Sequence, residues 1–141
     1  MKLNKEEILA RINQANKNTL METLEIEYTD IGENYVVGRM PVTPRVHQPD
    51  GVLHGGASVA LAESVGSVAA LIFLQSKDFL VRGIEIAANH VKGIREGYVY
   101  AKATALHRGR TTQLWHIPIT NEEGELISLV KLTTITLPKS S

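Results

Sequence analysis

The spacing of apolar residues changes along the chain and divides it into segments of different structure. Residues 4–16 carry apolar side chains at helical spacing, and Asn4 precedes Glu6 and Glu7 as an N-cap, so this pattern predicts an amphipathic helix. From residue 24 the period becomes two, and LEIEYTD, IGEN and YVVGRMPV in succession predict a β-hairpin. Residues 43–56 show neither period and are predicted to form a loop.

The next segment, residues 57–74, is almost continuously apolar. It is slightly short for a membrane span, contains Glu63, three serines and a glycine, and lacks a basic flank on its N-terminal side. A helix that is apolar nearly all round can instead lie inside a globular protein. We therefore predict a buried central helix that begins near Gly55 or Gly56, and no membrane span.

The second half of the chain is rich in β-strand patterns. Turn signals at REG, RGR and NEEGE separate four predicted strands, near residues 80–93, 97–107, 110–120 and 125–137. Pro118 has no N–H, which predicts an edge position or a bulge for its strand. The second strand carries small residues on one face, where a helix could approach closely: Val99, Ala101, Ala103 and Ala105.

The order of these elements predicts the fold class. A helix, a hairpin, a long helix and a four-strand meander indicate an α+β domain with antiparallel pairing. The long helix must be covered, and the concave face of one curved sheet would cover it. The length of 141 residues suits a single domain that spans residues 1–141.

The amino-acid composition limits the kinds of site and partner that the chain can have. The chain has no cysteine, which excludes disulfides and thiolate sites and favours a cytoplasmic location. Basic and acidic residues number 15 each, so net charge does not indicate a nucleic-acid partner. The five histidines show no metal-binding spacing, and we predict no metal site. The N-terminus lacks the apolar core of a signal peptide.

Glu63 is the most unusual residue of the apolar segment. Burying an unpaired carboxylate is costly, so Glu63 is expected either to be bound by a backbone or serine donor or to perform chemistry. A helix that begins at Gly55 presents free N–H groups to a carbonyl oxygen, about 12 Å along the axis from Glu63. One substrate atom cannot contact both places comfortably. Two antiparallel helices would bring Gly55 of one chain near Glu63 of the other, which predicts a C2 dimer with sites at its interface.

The block HQPDGVLHGGASVALAESVGS resembles the signature of the hotdog-fold acyl-CoA thioesterases. The resemblance is to the group that contains the Arthrobacter-type 4-hydroxybenzoyl-CoA, the phenylacetic-acid-pathway and the 1,4-dihydroxy-2-naphthoyl-CoA thioesterases. The resemblance extends over nearly the whole chain and includes two later segments, G-x-E-x-x-A-x-H and LHRGRTTQLW. It implies a hotdog fold, hydrolysis of an acyl-CoA to a free acid and coenzyme A, a homodimer as the minimal active unit, and a homotetramer of paired dimers.

The same resemblance implies roles for single residues. Glu63 would be the nucleophile or the general base, and the N–H of Gly55 would polarise the thioester carbonyl. Gln48 would orient that region, His54 would support the loop, and Ser67 would hold water or the intermediate. No cofactor is required, because coenzyme A is part of the substrate.

The resemblance also implies where coenzyme A binds. His90 and Lys92 match a strand end that contacts the phosphates in relatives, and Gly109 and Arg110 lie in a loop that can contribute. Relatives often have arginine where this chain has Lys92, and proline where it has Gly93, so the chain departs from its relatives at the nucleotide contacts.

Other readings of these residues stay open. Gln48 and His54 could only brace their loop, and the basic residues could be solvated strand faces. A hydratase or dehydratase of the same fold and a non-catalytic acyl-CoA sensor are the rival functions. The sequence does not specify the acyl group, nor whether coenzyme A or an acyl carrier protein carries it.

Overall fold

The helical elements follow the predicted order. A computed structural model describes residues 3–140. Helix α1 (Lys5–Gln14) begins where the pattern places it, because the side chain of Asn4 accepts the N–H of Glu7 at 2.8 Å. Helix α2 (Leu20–Thr23) has only four residues, too few to show a period, and the sequence did not predict it. Helix α3 (Gly55–Leu74) is the long apolar helix, and it begins at the predicted glycine.

All six strands belong to one antiparallel sheet, with the spatial order β1-β2-β4-β5-β6-β3. The first two strands form the predicted hairpin, and a single 3₁₀ turn at Pro44–Val46 interrupts the loop before α3. The strands are β1 (Glu27–Ile31), β2 (Tyr35–Pro41), β3 (Phe79–His90), β4 (Tyr98–Arg108), β5 (Thr112–Thr120) and β6 (Leu126–Pro138).

The prediction of a four-strand meander is wrong for β3. Strands β4, β5 and β6 are consecutive neighbours, but β3 pairs with β6 and lies at the edge of the sheet. Local periodicity identifies a strand without identifying its partner, so this pairing was not visible in the sequence. The connection of residues 91–97 therefore crosses the end of the sheet, and it is tied to the loop before α3 by the bond from the Leu53 N–H to the Ile94 carbonyl, 2.8 Å.

Pro118 lies in an interior strand, so of the two predicted alternatives the edge position is wrong, whereas the irregularity that the bulge alternative predicts lies next to it. The β4–β5 register is the same on both sides of it, with Ala101 opposite Ile119 and Thr104 opposite His116, while the paired positions between them are missing from the ladder. The absent N–H of proline explains this gap. A shift in the β5–β6 register follows directly, between Ile119 and Thr120.

The core lies between α3 and the sheet. On β4, Val99, Ala101 and Ala103 are fully buried, which confirms that their small side chains face the helix, and Ala105 is half-buried. Close approach is visible at Gly66, where a β carbon would lie 2.5 Å from Leu132 Cδ2. The helix face that packs on the sheet consists of Ala57, Ser58, Leu61, Ala62, Val65, Gly66, Ala69 and Ala70.

The opposite face of α3 is open to a cleft in the single chain. By length and composition α3 alone, among residues 3–140, would satisfy the criteria for a membrane span. Its packing against five strands identifies it as the core helix of the domain instead. The sequence predicted that α3 is buried on all sides, whereas the face of α3 opposite the sheet is uncovered in the single chain.

Candidate active site

The N-terminus of α3 has one backbone donor left for a ligand. His54 is the N-cap: its Nδ1 accepts the N–H of Gly56 at 2.8 Å, and its carbonyl accepts those of Ala57 and Ser58 at 3.0 and 3.3 Å. Within residues 3–140 the N–H of Gly55 has no acceptor. The helix dipole adds partial positive charge at this point, so the Gly55 N–H can bind a carbonyl oxygen or an oxyanion.

The loop before the helix is held in a fixed shape. The backbone carbonyl of Gln48 accepts the N–H of Gly51 at 2.9 Å, and its backbone N–H donates to the Val52 carbonyl at 2.8 Å. Its side-chain amide donates to the Asp50 carboxylate at 3.0 Å. Gly51 has a φ of 87°, which favours glycine. The guanidinium of Arg95 donates to the Asp50 carbonyl at 3.1 Å and so ties this loop to the residue 91–97 crossing.

Gln48 and Gly55 share a cleft of about 310 Å³, which we call the Gly55 cleft. The imidazole of His90 lies against the start of α3, since a β carbon on residue 55 would lie 2.6 Å from its Nε2. Only glycine leaves room for this ring. The cleft is lined by Gln48, Val52, Leu53, Gly55, Ser58, His90, Val91, Lys92, Gly93 and Ile127.

Lys92 lies in the same cleft, but its charge is already paired. Its ammonium lies 2.5 Å from Oε2 of Glu125, and both side chains are about half exposed. Asn121 donates to the other carboxylate oxygen of Glu125 at 3.0 Å. The Lys92 ammonium, followed by the Asn121 amide, holds the pKa of Glu125 below its ordinary value.

Glu63 and Ser67 lie in a different and larger cleft of about 940 Å³, the Glu63 cleft. The nearby Ser64 hydroxyl donates to the Ala60 carbonyl at 2.7 Å. The three ion pairs of residues 3–140 lie elsewhere on the surface, so none neutralises Glu63. The carboxylate lies directly against Gly83 of β3, where any β carbon would collide with its Oε2.

The walls of the Glu63 cleft are mostly apolar and come from three directions. Ile12 belongs to α1, Val68 and Leu71 belong to α3, and Phe79 and Val81 belong to β3. A carboxylate in a largely apolar cleft can act on an apolar ligand that carries one reactive polar group.

Gly109 and Arg110 lie in a third cleft of about 180 Å³, next to Phe73 and Leu74 at the C-terminal end of α3. A helix of 20 residues is about 30 Å long, so this cleft is far from the Gly55 cleft. A single chain therefore distributes the sequence-predicted residues over three separate clefts. Across residues 3–140, no three histidine, aspartate or glutamate side chains cluster as metal ligands.

The sequence did not indicate a role for three residues near the clefts, namely Gly83, Glu125 and Ser128. Gly83 begins the G-x-E-x-x-A-x-H pattern, so its position was a signal, although its contact with Glu63 was not visible. Glu125 and Ser128 reach Lys92 and His90 from 33 and 38 residues away, and no local pattern reports such contacts.

Comparison with known proteins agrees with this fold. Residues 50–128, which include all of α3 and the last residues of the loop before it, match the model of the thioesterase superfamily, 4HBT. The chain is 42% identical over 129 residues to the 1,4-dihydroxy-2-naphthoyl-CoA hydrolase of Escherichia coli, covering 92% of this chain and 94% of that protein. It is 41% identical over 126 residues to the proofreading thioesterase EntH of Cronobacter turicensis, covering 89% and 91% of the two chains.

A solved structure agrees as well. The crystal structure of a mutant thioesterase from Pseudomonas aeruginosa superposes with a TM-score of 0.90 at 38% identity, covering 93% of this chain and 94% of that one. The long helix packed on a six-stranded antiparallel sheet, together with these matches, defines a hotdog-fold thioesterase. The chain belongs to the thioesterase superfamily, and it is a thioester hydrolase.

Proposed function

We propose that this enzyme hydrolyses an acyl-CoA thioester to a free acid and coenzyme A. The observation that carries the proposal is the N–H of Gly55 at the start of α3, which no acceptor among residues 3–140 binds. The thioester carbonyl would accept this N–H, which stabilises the negative charge that develops on the oxygen as the carbonyl carbon is attacked. Thioesters are activated acyl groups, so one carboxylate and such a donor can suffice.

Glu63 supplies the attack in this proposal. As a general base it would take a proton from water, whose oxygen bonds to the carbonyl carbon; the carbon–sulfur bond then breaks, and the proton passes to the leaving thiolate. As a nucleophile it would bond to the carbonyl carbon and expel the thiolate, and water would then cleave the anhydride to the free acid and the Glu63 carboxylate. Both routes give the same products, the acid and the thiol. Ser67, one helical turn further on the same face, lines the same cleft and would hold the water.

We further propose that each site is shared by two chains. Gly55 and Glu63 lie in different clefts of one chain, about 12 Å apart along α3. Strand β3 is an open edge, and large apolar side chains are exposed beside it: Phe79 at 37%, Ile84 at 56% and Leu71 of α3 at 49%. Pairing of two β3 edges about a twofold axis would cover these residues and place the two α3 helices side by side and antiparallel.

The same arrangement supports the proposed coenzyme A site. In antiparallel helices, the C-terminal end of one lies beside the N-terminal start of the other. Gly109 and Arg110 of one chain would then approach His90 and Lys92 of its partner, whereas a single chain keeps them at opposite ends of α3. Lys92 and Arg110 supply the positive charge that phosphates require.

The Glu63 cleft would take the acyl group. Its volume of about 940 Å³ and its apolar walls support an aromatic or a small to medium aliphatic acyl group. Release of free thiol from a panel of aromatic and aliphatic acyl-CoA thioesters, ranked by kcat/KM, tests the function and names the substrate. Tight binding of acyl-CoA without thiol release would instead support the sensor, and addition of water to an enoyl-CoA would support the hydratase.

Two further proposals concern the assembly of dimers and the location of the enzyme in the cell. We infer a homotetramer of two dimers, which sedimentation of the purified protein tests directly. The cysteine-free composition supports a cytoplasmic location. Acyl carrier protein thioesters belong in the substrate panel, since they present the same thioester on the same pantetheine arm.

Substitution of Gly83 by alanine is expected to lower kcat by about tenfold, because the added β carbon displaces the Glu63 carboxylate. The double variant Gly83→Ala/Glu63→Gln checks this cause. If Gly83 acts through the carboxylate, the alanine adds almost nothing once Glu63 has been replaced. Independent, multiplying effects of the two substitutions would contradict the explanation.

Substitution of Glu125 by glutamine is expected to lower KM for acyl-CoA by about twofold to fivefold, because it frees the charge of Lys92 for a phosphate. The KM for acyl-pantetheine, which has no nucleotide, should not change. Glu123→Gln removes a charge from the same turn without touching Lys92 and is the matched control. An equal fall in KM for both substrates would disprove a phosphate role of Lys92.

A further inference from the structure

The hydrogen bonds around His90 determine which of its nitrogens carries the hydrogen. Ser128 of β6 is fully buried, and its hydroxyl donates to the backbone carbonyl of Asn89 at 3.2 Å. A hydroxyl has one hydrogen, so toward His90 the same oxygen can only accept. The His90 Nδ1 lies 2.9 Å from it, and with the Ser128 hydroxyl donating to Asn89 we assign the hydrogen of the neutral ring to Nδ1.

The other ring nitrogen is consequently an acceptor. In the neutral ring Nε2 has a lone pair and no hydrogen. It lies against the start of α3, where a β carbon on Gly55 would come within 2.6 Å of it. The Gly55 cleft thus contains an acceptor, His90 Nε2, directly beside a donor, the Gly55 N–H.

We propose that Ser128 is a positioning residue that holds His90 with Nε2 as the acceptor for the pantetheine amide N–H nearest the thioester. This inference rests on the proposed function. In an acyl-pantetheine the first amide nitrogen follows the sulfur after two methylene groups, so it is the substrate's nearest hydrogen-bond donor to the reacting carbonyl. With the carbonyl at Gly55 and this amide at His90, two adjacent bonds fix the thioester for attack.

The arrangement assigns His90 a different ligand from the one that the sequence indicated. An ionised phosphate offers only acceptor oxygens, and the unprotonated Nε2 has no hydrogen to give them. The cation in the cleft is Lys92, whose three hydrogens suit a phosphate. His90 therefore recognises the arm and Lys92 the nucleotide, and the two contacts are separable by experiment.

A pair of substrates tests the contact. One is an acyl-pantetheine, and the other is its analogue with an ester oxygen in place of the amide N–H nearest the sulfur. We expect the wild-type enzyme to favour the amide by about fivefold in kcat/KM, the size of one neutral hydrogen bond. His90→Ala should reduce this preference to about one, His90→Gln should retain part of it, and Lys92→Ala should leave it unchanged.

A separate measurement, of the tautomer of His90, tests the role of Ser128. Nuclear magnetic resonance of enzyme labelled with ¹⁵N-histidine reports which ring nitrogen bears the hydrogen, and His90→Gln identifies the His90 signals by their loss. We expect the hydrogen on Nδ1 in the wild type and in Ser128→Thr, and its transfer toward Nε2 in Ser128→Ala. The amide preference should fall in Ser128→Ala and return in Ser128→Thr. Melting temperatures establish that each variant is folded.

The outcomes separate this inference from the function on which it rests. Absence of acyl-CoA turnover by the wild type would overturn the proposed function. Turnover without an amide preference, a preference that persists in His90→Ala, or a wild-type His90 with its hydrogen on Nε2 would overturn this inference alone.

Discussion

Replacement of Glu63 by glutamine is expected to lower kcat for thioester hydrolysis by about a hundredfold to ten-thousandfold. Glutamine has nearly the same shape and keeps one acceptor oxygen, but its NH₂ group is a donor, and it cannot take a proton from water or form an anhydride. The carboxylate belongs to no ion pair of residues 3–140, so its loss should not destabilise the fold. Thiol release under single-turnover conditions measures the effect on the chemical step.

The control for this experiment is Glu123→Gln, the same chemical change in the exposed turn between β5 and β6. It should leave kcat and the melting temperature within experimental error. Circular dichroism of Glu63→Gln should match the wild type. A Glu63→Gln enzyme that hydrolyses its best acyl-CoA at the wild-type rate would remove Glu63 from the mechanism.

Mixing two inactive variants is expected to restore activity. In Gly55→Ala the new β carbon displaces His90 and blocks the donor end of the site, while Glu63→Gln removes the base. If Gly55 of one chain serves Glu63 of the other, a mixed dimer contains one site built from two intact halves. After unfolding and joint refolding, random pairing makes half the dimers mixed, so activity should return to about one quarter of the wild-type rate.

A site contained within one chain predicts a different recovered activity. If both residues served one site within a chain, every site in the mixture would carry a defect, and refolding would restore nothing. Each variant is refolded alone as the control for recovery, and the intact mixture before unfolding is the control for contamination. Activity that stays at the level of the single variants after verified mixing would rule out the shared site.

The sequence predicted what depends on neighbours along the chain. The N-cap of α1, the beginning of α3 at Gly55 and the shared face of Glu63 and Ser67 all follow from spacings of a few residues, and the structure has them in place. The strands were located to within a few residues for the same reason. A curved antiparallel sheet around the long helix was predicted as well, because one long apolar helix has few ways to be covered, and the resemblance named this arrangement as the hotdog fold.

What the sequence did not reveal depends on residues that are far apart along the chain. The pairing of β3 with β6 involves long-range backbone bonds, and periodicity is the same whichever strand is the neighbour. The ion pair of Lys92 with Glu125 and the bond of His90 to Ser128 are consequences of that pairing, so they were invisible too. Helix geometry predicted the distance between Gly55 and Glu63, and the structure adds that the two residues line different clefts.

The pairing of β3 with β6 also has a consequence for synthesis on the ribosome. Until residues 126–138 have emerged, β3 has no partner in its own chain, and the apolar α3 lacks part of its cover. Contacts between such distant segments form slowly, and an uncovered apolar helix is prone to aggregation in the meantime. We therefore expect the nascent chain to depend on chaperones until β6 is released, with the cleft around His90 among the last parts of the molecule to form.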